Sequence, residues 1–458
     1  MSFAPSSFRD PAARVLAEEG PRVRRVLSAG AAADDARLRG AGLFAELERA
    51  GWLIPSWRRD DLIAPDGWAA VVETQRLPFV SYPAEWSFSM LRDAALLTLQ
   101  LTERALERGA MLKDASAFNV LFDGARPRFV DVSSLTPRDA DAPWLAYGQF
   151  CDHFLAPLML EAYRGVPFQS FLLGSLEGLP VATLARLLSA RDLLRRGVAL
   201  HVAARAWLER RNAAPDAAAS RTARALPLPA AALQRNVRGL QRIVGGLRSC
   251  ATSAWGDYAV AVDATMTARK SAFVEAAATR FGGGQLAWDV GANTGHYSRI
   301  LARHYACVVA IDADAGAIDR LYAGLQAAPE AERIVPLVVD IMQPTPARGW
   351  RGRERAGLSE RGRPQLALHL ALSHHLCLGR GVPLDEWLDL VRETSPAAVV
   401  ELVAADDPHS QALLATRTAH HAGYDLPSFR ALAAQRFELL AEEMLTPTRT
   451  LFLLARRT

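Results

Sequence analysis

Gln285-Leu-Ala-Trp-Asp-Val-Gly-Ala-Asn-Thr-Gly-His-Tyr-Ser-Arg-Ile300 decides the fold of this chain. Leu286, Ala287, Trp288 and Val290 read as a short, fully buried strand. Gly291 to Gly295 reads as a tight loop, and Tyr297 to Ala306 carries helical spacing. A strand ending in a glycine loop that opens a helix is how a doubly wound α/β sheet builds a nucleotide site. Glycine reaches positive φ and lets a ligand approach the backbone closely. Asp289 closes the strand at the carboxyl edge, where such ligands bind.

The residues that follow extend the pattern. Cys307–Ile311 reads as a strand ending in Asp312, Ala315–Ala327 as a helix, and Ile334–Val339 as a strand ending in Asp340. Leu366–Leu372 reads as a strand running into Ser373, His374 and His375; Leu384–Arg392 as a helix; Ala398–Val403 as a strand carrying Glu401. Phe437–Glu442 and Thr448–Ala455 suit a closing antiparallel pair. Strands alternating with helices predict a mainly parallel, doubly wound sheet. Three successive strands end in an acid at one edge. Asp312, 17 positions past Gly295, suits ribose hydroxyls; Asp340 suits an adenine amino group; Asp289 suits the ammonium of an amino acid. A dinucleotide dehydrogenase would share Asp312, but the loop lacks the third glycine of GxGxxG.

On these residues the C-terminal half resembles the class I S-adenosylmethionine-dependent methyltransferases. Asp289, Gly291, Ala292, Asn293 and Gly295 match their first motif, with Asn293 standing where many members carry glycine. Asp312 and Asp340 match the acids of the next two strands. Arg363 to His375 and the glycine motif further resemble a group around rhizobial nodulation methyltransferases. The resemblance implies S-adenosylmethionine as cofactor and a Rossmann-like sheet. For a hydroxyl acceptor a general base is useful, and His374 or His375, just past the fourth strand, is placed to serve. The absence of an Asn-Pro-Pro-aromatic run disfavours an exocyclic amine, and the absence of Pro-Cys disfavours cytosine C5 chemistry. Arg-rich residues 347–364, Trp350 among them, are expected to form a solvated loop or to hold an anionic acceptor such as a phosphorylated or lipid-linked sugar.

The N-terminal half is read less directly. Val23 to Arg49 has helical periodicity broken by Gly30, Gly40 and Gly42, and Trp52–Trp57 and Trp68–Val72 suit short strands. Phe88 to Arg108 is a clear amphipathic helix with Gly109 at its end. Val120–Phe122 and Phe129–Val132 read as two strands joined by a turn at Asp123-Gly124. Asp114, Asn119 and Asp131 in this setting resemble the catalytic segment of the protein-kinase and aminoglycoside-phosphotransferase superfamily. There the first Asp faces the acceptor hydroxyl and the other two hold magnesium. The chain departs from that pattern. It has no glycine-rich loop, and Lys113 is its only lysine before residue 270, so the nucleotide-binding lysine lacks a counterpart. Mg2+ and ATP therefore enter only if this half is an active kinase-like domain. Residues 144–210 read as mainly helical; Leu184 to Leu208 is arginine-studded and amphipathic, with its apolar face expected in the core.

Composition bounds the rest. At 458 residues the chain is long enough for two or three domains. An Ala/Pro-rich stretch at 211–232 places a linker there, dividing an N-terminal α+β domain, 1–232, from a methyltransferase domain, 233–458. A formal net charge of +4 gives little support for a nucleic-acid partner. The expected partner is a small-molecule or glycan acceptor, with a protein partner left open for the N-terminal half. Four scattered cysteines without CxxC, no apolar leader and no run long enough to span a membrane lead to the expectation of a reducing cytoplasm. Only two of the 53 basic residues are lysines, Lys113 and Lys270, so a lysine here either survives by chance or marks a place wanting a compact ammonium. Two other readings stay open: a bifunctional enzyme with phosphotransferase activity at Asp114, Asn119 and Asp131, and a non-catalytic cofactor-binding scaffold.

Overall fold

Periodicity in the first half resolves into a small antiparallel sheet and a helical body. The computed structural model describes residues 2–17, 20–139, 141–212, 228–250, 264–415 and 422–457. They fall into two units. The first is Met1–Phe122, Pro127–Ala251 and Ala347–Ala356; the second is Asp123–Arg126, Thr252–Pro346 and Gly357–Thr458. Residues 251–263 lie outside the described residues, as do most of the expected linker residues.

In the first unit, β1 (Ala13–Val15), β2 (Arg22–Leu27), β3 (Ser56–Arg58) and β4 (Ala70–Gln75) form an antiparallel sheet in the order β1-β2-β4-β3. The helix expected from Val23 to Arg49 begins only at Ala29, where Ser28 accepts a bond from the Ala31 amide. The preceding residues pair on both edges, with Val26 opposite both Arg14 and Val71, so tertiary pairing overrides a weak local period. Helix Phe88–Glu107 starts at Ser87, which caps the Met90 amide, and ends before Gly109 at φ +68°. Its buried face includes Leu91, Ala95, Leu99 and Leu106, as the spacing predicts. Then come β5 (Ala110–Leu112), β6 (Val120–Asp123), β7 (Arg126–Phe129) and β8 (Leu135–Pro137); β5 pairs with β8 and β6 with β7. The second hairpin strand thus ends where the sequence reading started it. The domain boundary also moves. Helix Ala230–Gly246 buries Leu233, Val237, Leu240 and Val244, packs on helix Phe88–Glu107 and carries the first unit past position 232 to Ala251.

The second unit holds β9 (Leu286–Val290), β10 (Cys307–Asp312), β11 (Ile334–Val338), β12 (Leu366–His369), β13 (Ala397–Val403), β14 (Phe437–Thr446) and β15 (Arg449–Arg456). They make one seven-stranded sheet in the order β11-β10-β9-β12-β13-β15-β14. The first five are parallel, and β15 runs antiparallel to β13 and β14. Strands β9 and β13 are buried at every position, which is why they read as unbroken apolar runs. The chain steps from β9 outward to β11, then returns to place β12 on the other side of β9. That reversal opens a crevice at the carboxyl ends of β9 and β12. β12 stops at His369, three residues short of its expected end, because Ala371 adopts φ +49°.

Candidate active site

The glycine loop is pinned to β10. Amides of Gly291 and Ala292 both donate to the Ile311 carbonyl, at 2.8 and 3.0 Å, and the Gly295 amide closes the turn on Ala292 at 2.8 Å. Gly291, Asn293 and Gly295 all have positive φ, at +80°, +48° and +77°. Asn tolerates that region better than other side chains, which explains why a family glycine can be replaced here. A Cβ on Gly295 would lie 2.4 Å from Leu321 Cδ1, whereas one on Gly291 would find Leu372 Cδ1 at 3.7 Å and Leu370 O at 3.8 Å. The two glycines therefore answer different demands, and the segment after β12 faces Gly291 across the crevice.

Two acids adjoin the loop. Asp289 is fully buried and accepts a 2.6 Å bond from Ser298 Oγ on helix His296–Leu301. Burial pushes its carboxyl up to about 6, partly offset by the Ser298 bond and reinforced by the charge of Asp312. Asp312 accepts the Asn293 amide on Oδ2 and the Asp314 amide on Oδ1, both at 2.8 Å. Burial raises its carboxyl despite those bonds. Each Asp312 oxygen keeps a further lone pair for a hydroxyl. Asn293 Oδ1 is buried without a partner among the described residues, an unsatisfied acceptor beside the loop. Asp340 stands apart from this pair. It accepts the Met342 amide at 3.0 Å and pairs with Arg380 at 3.1 Å on a half-exposed surface, so a ligand amino group there competes with a guanidinium.

Beyond β12 the wall of the crevice rests on buried charge. Glu401 on β13 accepts the Lys270 ammonium at 2.7 Å and the Ala371 amide at 2.9 Å on the same oxygen. Arg449 reaches its other oxygen at 3.5 Å and grips Asp407 at 2.8 and 3.0 Å. Ser373 donates to the Glu401 carbonyl at 3.0 Å and receives the Tyr424 hydroxyl at 2.9 Å. Lys270 is thus a fully enclosed ammonium, and its rarity in the sequence was the one signal that singled it out. His374 and His375 follow, ring centres 4.1 Å apart. His374 is buried with both nitrogens unpartnered among the described residues. Burial, then His375 and Arg449, depress it to about 3. His375 is less enclosed and is also lowered, chiefly by burial and then by His409. His369, which the sequence reading passed over as one polar residue in an apolar strand, is likewise buried with both ring nitrogens unpartnered, and burial lowers it to about 4. The cavity of about 500 Å³ lined by Pro383, Leu384, Gly423, Ser428 and Leu432 includes none of these residues.

In the first unit Asp114, Asn119 and Asp131 do come together, but around a different cation. Asp131 pairs with Arg25 of β2 and accepts both Ser133 Oγ, at 2.6 Å, and Ser134 Oγ. Burial would raise its carboxyl, yet Arg25 and the two serines outweigh it and hold it below the usual carboxylate range. Asn119 Nδ2 donates to Ser134 Oγ at 3.4 Å. Asp114 accepts the Ser116 amide at 2.8 Å and is raised by burial and by the nearby Asp131 charge. A guanidinium therefore occupies the carboxylate that would hold magnesium. Among the described residues no group of three or more His, Cys, Asp or Glu is arranged for a metal ion. These donors do not fit a magnesium–nucleotide site. The arginine-rich segment divides between the units, with Ala347–Ala356 in the first, and Trp350, Arg351, Arg353 and Arg363 are exposed. Arg348 donates to the carbonyls of Leu172 and Leu173, and Arg355 donates to the Ser6 carbonyl and lies over the Phe118 ring at 4.6 Å.

The second unit has the doubly wound fold implied by the resemblance to class I S-adenosylmethionine-dependent methyltransferases. No family model matches the chain. Nodulation protein NoeA from Rhizobium meliloti (strain 1021) is 30% identical to it, over 97% of this chain and 94% of its own. Among solved structures, N-methyltransferase NodS from Bradyrhizobium japonicum WM9 is similar over 43% of this chain and 99% of its own, at 11% identity and TM-score 0.32. Magnesium protoporphyrin IX methyltransferase ChlM from Synechocystis PCC 6803 is similar over 43% and 85%, at 14% identity and TM-score 0.30. WbdD is similar over 44% of this chain and 42% of its own, at 18% identity and TM-score 0.31.

Proposed function

The chain belongs to the family of nodulation protein NoeA, and we propose that it transfers a methyl group from S-adenosylmethionine to a hydroxyl of a small-molecule, glycan or lipid-linked acceptor. The observation that carries the reading is the Gly291–Gly295 loop, left-handed at three positions, at the reversal of strand order, with a buried carboxyl, Asp289, and a half-buried one, Asp312, on the adjoining strands. Such a site suits a ligand with hydroxyls and a positive charge, and does not call for a pyrophosphate.

The residues present fit that cofactor. Asp289 would meet its ammonium, which would also relieve the cost of ionising a buried carboxyl. Asp312 would take the ribose hydroxyls on its remaining lone pairs. Gly291, Ala292 and Asn293 would line its amino-acid end, with Asn293 Oδ1 as a free acceptor. Asp340 would take the adenine amino group after yielding its Arg380 partner. The cofactor supplies an electrophilic methyl on a sulfonium; the protein's task is alignment and exclusion of water. His374, held neutral by burial, is suited to accepting a hydrogen bond from the acceptor. His375, less enclosed, is the better proton carrier of the two.

Calorimetry with S-adenosylmethionine and S-adenosylhomocysteine tests the reading. The wild type should bind both, and Asp312→Ala should weaken each by about tenfold or more, the worth of a hydrogen bond to a charged group. Failure of the wild type to bind either, or unchanged affinity in Asp312→Ala, would remove the cofactor assignment.

A further inference from the structure

We propose that the surface formed by residues 186–211 of the first unit docks on an anionic lipid bilayer. The amphipathic pattern of Leu184 to Leu208 leads one to expect its apolar face in the core, and part of it is there: Leu184, Val198, Val202 and Ala206 are buried. The other apolar residues are not. Leu194 is 92% exposed and Leu200 66%, and Leu187, Leu193, Trp207 and Leu208 are also exposed. They sit on helical turns Val181–Leu187, Ala190–Leu194, Val198–Ala204 and Arg205–Asn212, which pack against one another. Leu200, Ala204 and Leu208 recur every fourth residue on the exposed side, and Val198, Val202 and Ala206 on the buried side.

The same stretch carries seven arginines against two acids. Both acids are already paired: Asp192 with Arg164 and Arg195, and Glu209 with Arg205. Arg186, Arg191, Arg196, Arg210 and Arg211 are left exposed, with no ion pair among the described residues. Arg211 lies over the Trp207 ring at 5.4 Å, so a basic and an amphipathic group share one spot.

Charge complementarity selects the occupant. This surface interleaves leucine with arginine and has no acid to spare, so its occupant must offer apolar depth and negative charge together. A nucleic-acid backbone would satisfy the arginines but give Leu194 and Leu200 nothing to enter. A bilayer with anionic headgroups satisfies both, drawing arginines to the surface while leucine and tryptophan settle at the acyl boundary. Among the described residues no helix is long and apolar enough to cross a membrane, so the contact is peripheral.

Flotation of the full-length protein with vesicles tests this, using phosphatidylcholine alone and phosphatidylcholine with about 30% phosphatidylglycerol. The protein should float with the anionic vesicles and partition about tenfold less onto the neutral ones, and raised salt should weaken the binding. The double variants Leu194→Glu/Leu200→Glu and Arg210→Glu/Arg211→Glu should each cut partitioning by about tenfold, with an unchanged melting temperature because the altered residues are exposed. Absence of partitioning onto anionic vesicles, or equal partitioning of the wild type and both variants, overturns the proposal. So does a dimer in sedimentation velocity that Leu194→Glu/Leu200→Glu dissociates, which would assign the surface to a second copy. Retention on homopolymeric RNA but not on vesicles would assign it to nucleic acid.

Discussion

Gly291 and Gly295 share a left-handed backbone and differ in their surroundings, and this separates their expected behaviour. Alanine at Gly291 meets only ordinary contacts, so it should cost about 1 kcal/mol, the price of a non-glycine residue at positive φ. Alanine at Gly295 must also displace Leu321, and should cost roughly 2–4 kcal/mol and disturb the loop. Urea denaturation of the two variants checks the order. Asp289 offers a test in pH. Its folded-state carboxyl lies near 6 against 3.8 unfolded, so its contribution is fully present below 3.8 and lost as the pH rises through 6. Asp289→Asn should therefore stabilise the cofactor-free protein at pH 7.5 by about 2 kcal/mol, give no gain at pH 4, and weaken S-adenosylmethionine binding. Thermal melts at both pH values and a calorimetric titration read all three. The sequence disclosed Asp289 because a charged residue in an apolar run is conspicuous at a strand end. It did not disclose Ser298, whose hydroxyl reaches Asp289 only through the helix–strand packing, nor His369, whose lack of partners is a property of the folded interior.

At the scale of elements, the segment after β12 is held in place by its neighbours. Ala371 occupies a backbone region that a non-glycine residue enters only under constraint, and its amide is tied to Glu401, itself balanced by Lys270 on helix Ala264–Phe281. Removing Lys270 leaves buried Glu401 with the longer Arg449 contact, at 3.5 Å, in place of its 2.7 Å partner. Lys270→Met should destabilise the protein by about 3 kcal/mol, while Lys270→Met/Glu401→Gln should cost clearly less than the sum of the single changes. A double-mutant cycle by urea denaturation measures this. Because the segment faces Gly291, the KM for S-adenosylmethionine should rise in Lys270→Met and recover in part in Lys270→Arg. Elements were legible where burial is uniform, as in β9, β10 and β13, and obscure where pairing overrides local preference. β2 is the clear case: Val23, Arg25 and Val26 carry no decisive period, and only the flanking strands make them extended.

For the molecule as a whole, buried neutral histidines set the response to acid. His153 in the first unit and His369 and His374 in the second are all lowered primarily by burial, the first two to about 4 and the third to about 3. Unfolded histidine takes up its proton near 6.5, so their contribution is fully present above that value and is lost as the pH falls through 4. At the acid end His153 and His369 each account for up to about 3 kcal/mol and His374 for up to about 5 kcal/mol. His369→Leu should flatten the fall in urea midpoint between pH 7 and pH 4.5. The Ala/Pro-rich stretch led to the expectation of one boundary at 232, whereas the two units interleave, because membership is decided by partners distant in sequence. Asp123–Arg126 joins the second unit, where the Ala125 amide meets the Ala331 carbonyl at 2.6 Å, and Ala347–Ala356 joins the first. One cut therefore cannot separate the two units. A fragment beginning at residue 252 would carry Arg348 and Arg355 away from the carbonyls of Leu172, Leu173 and Ser6 to which they donate, and should aggregate. The same fragment with residues 347–356 replaced by a short Gly-Ser bridge should stay monodisperse in size-exclusion chromatography, and exchange of halves between relatives demands five junctions, at 122/123, 126/127, 251/252, 346/347 and 356/357, where a linear reading would choose one.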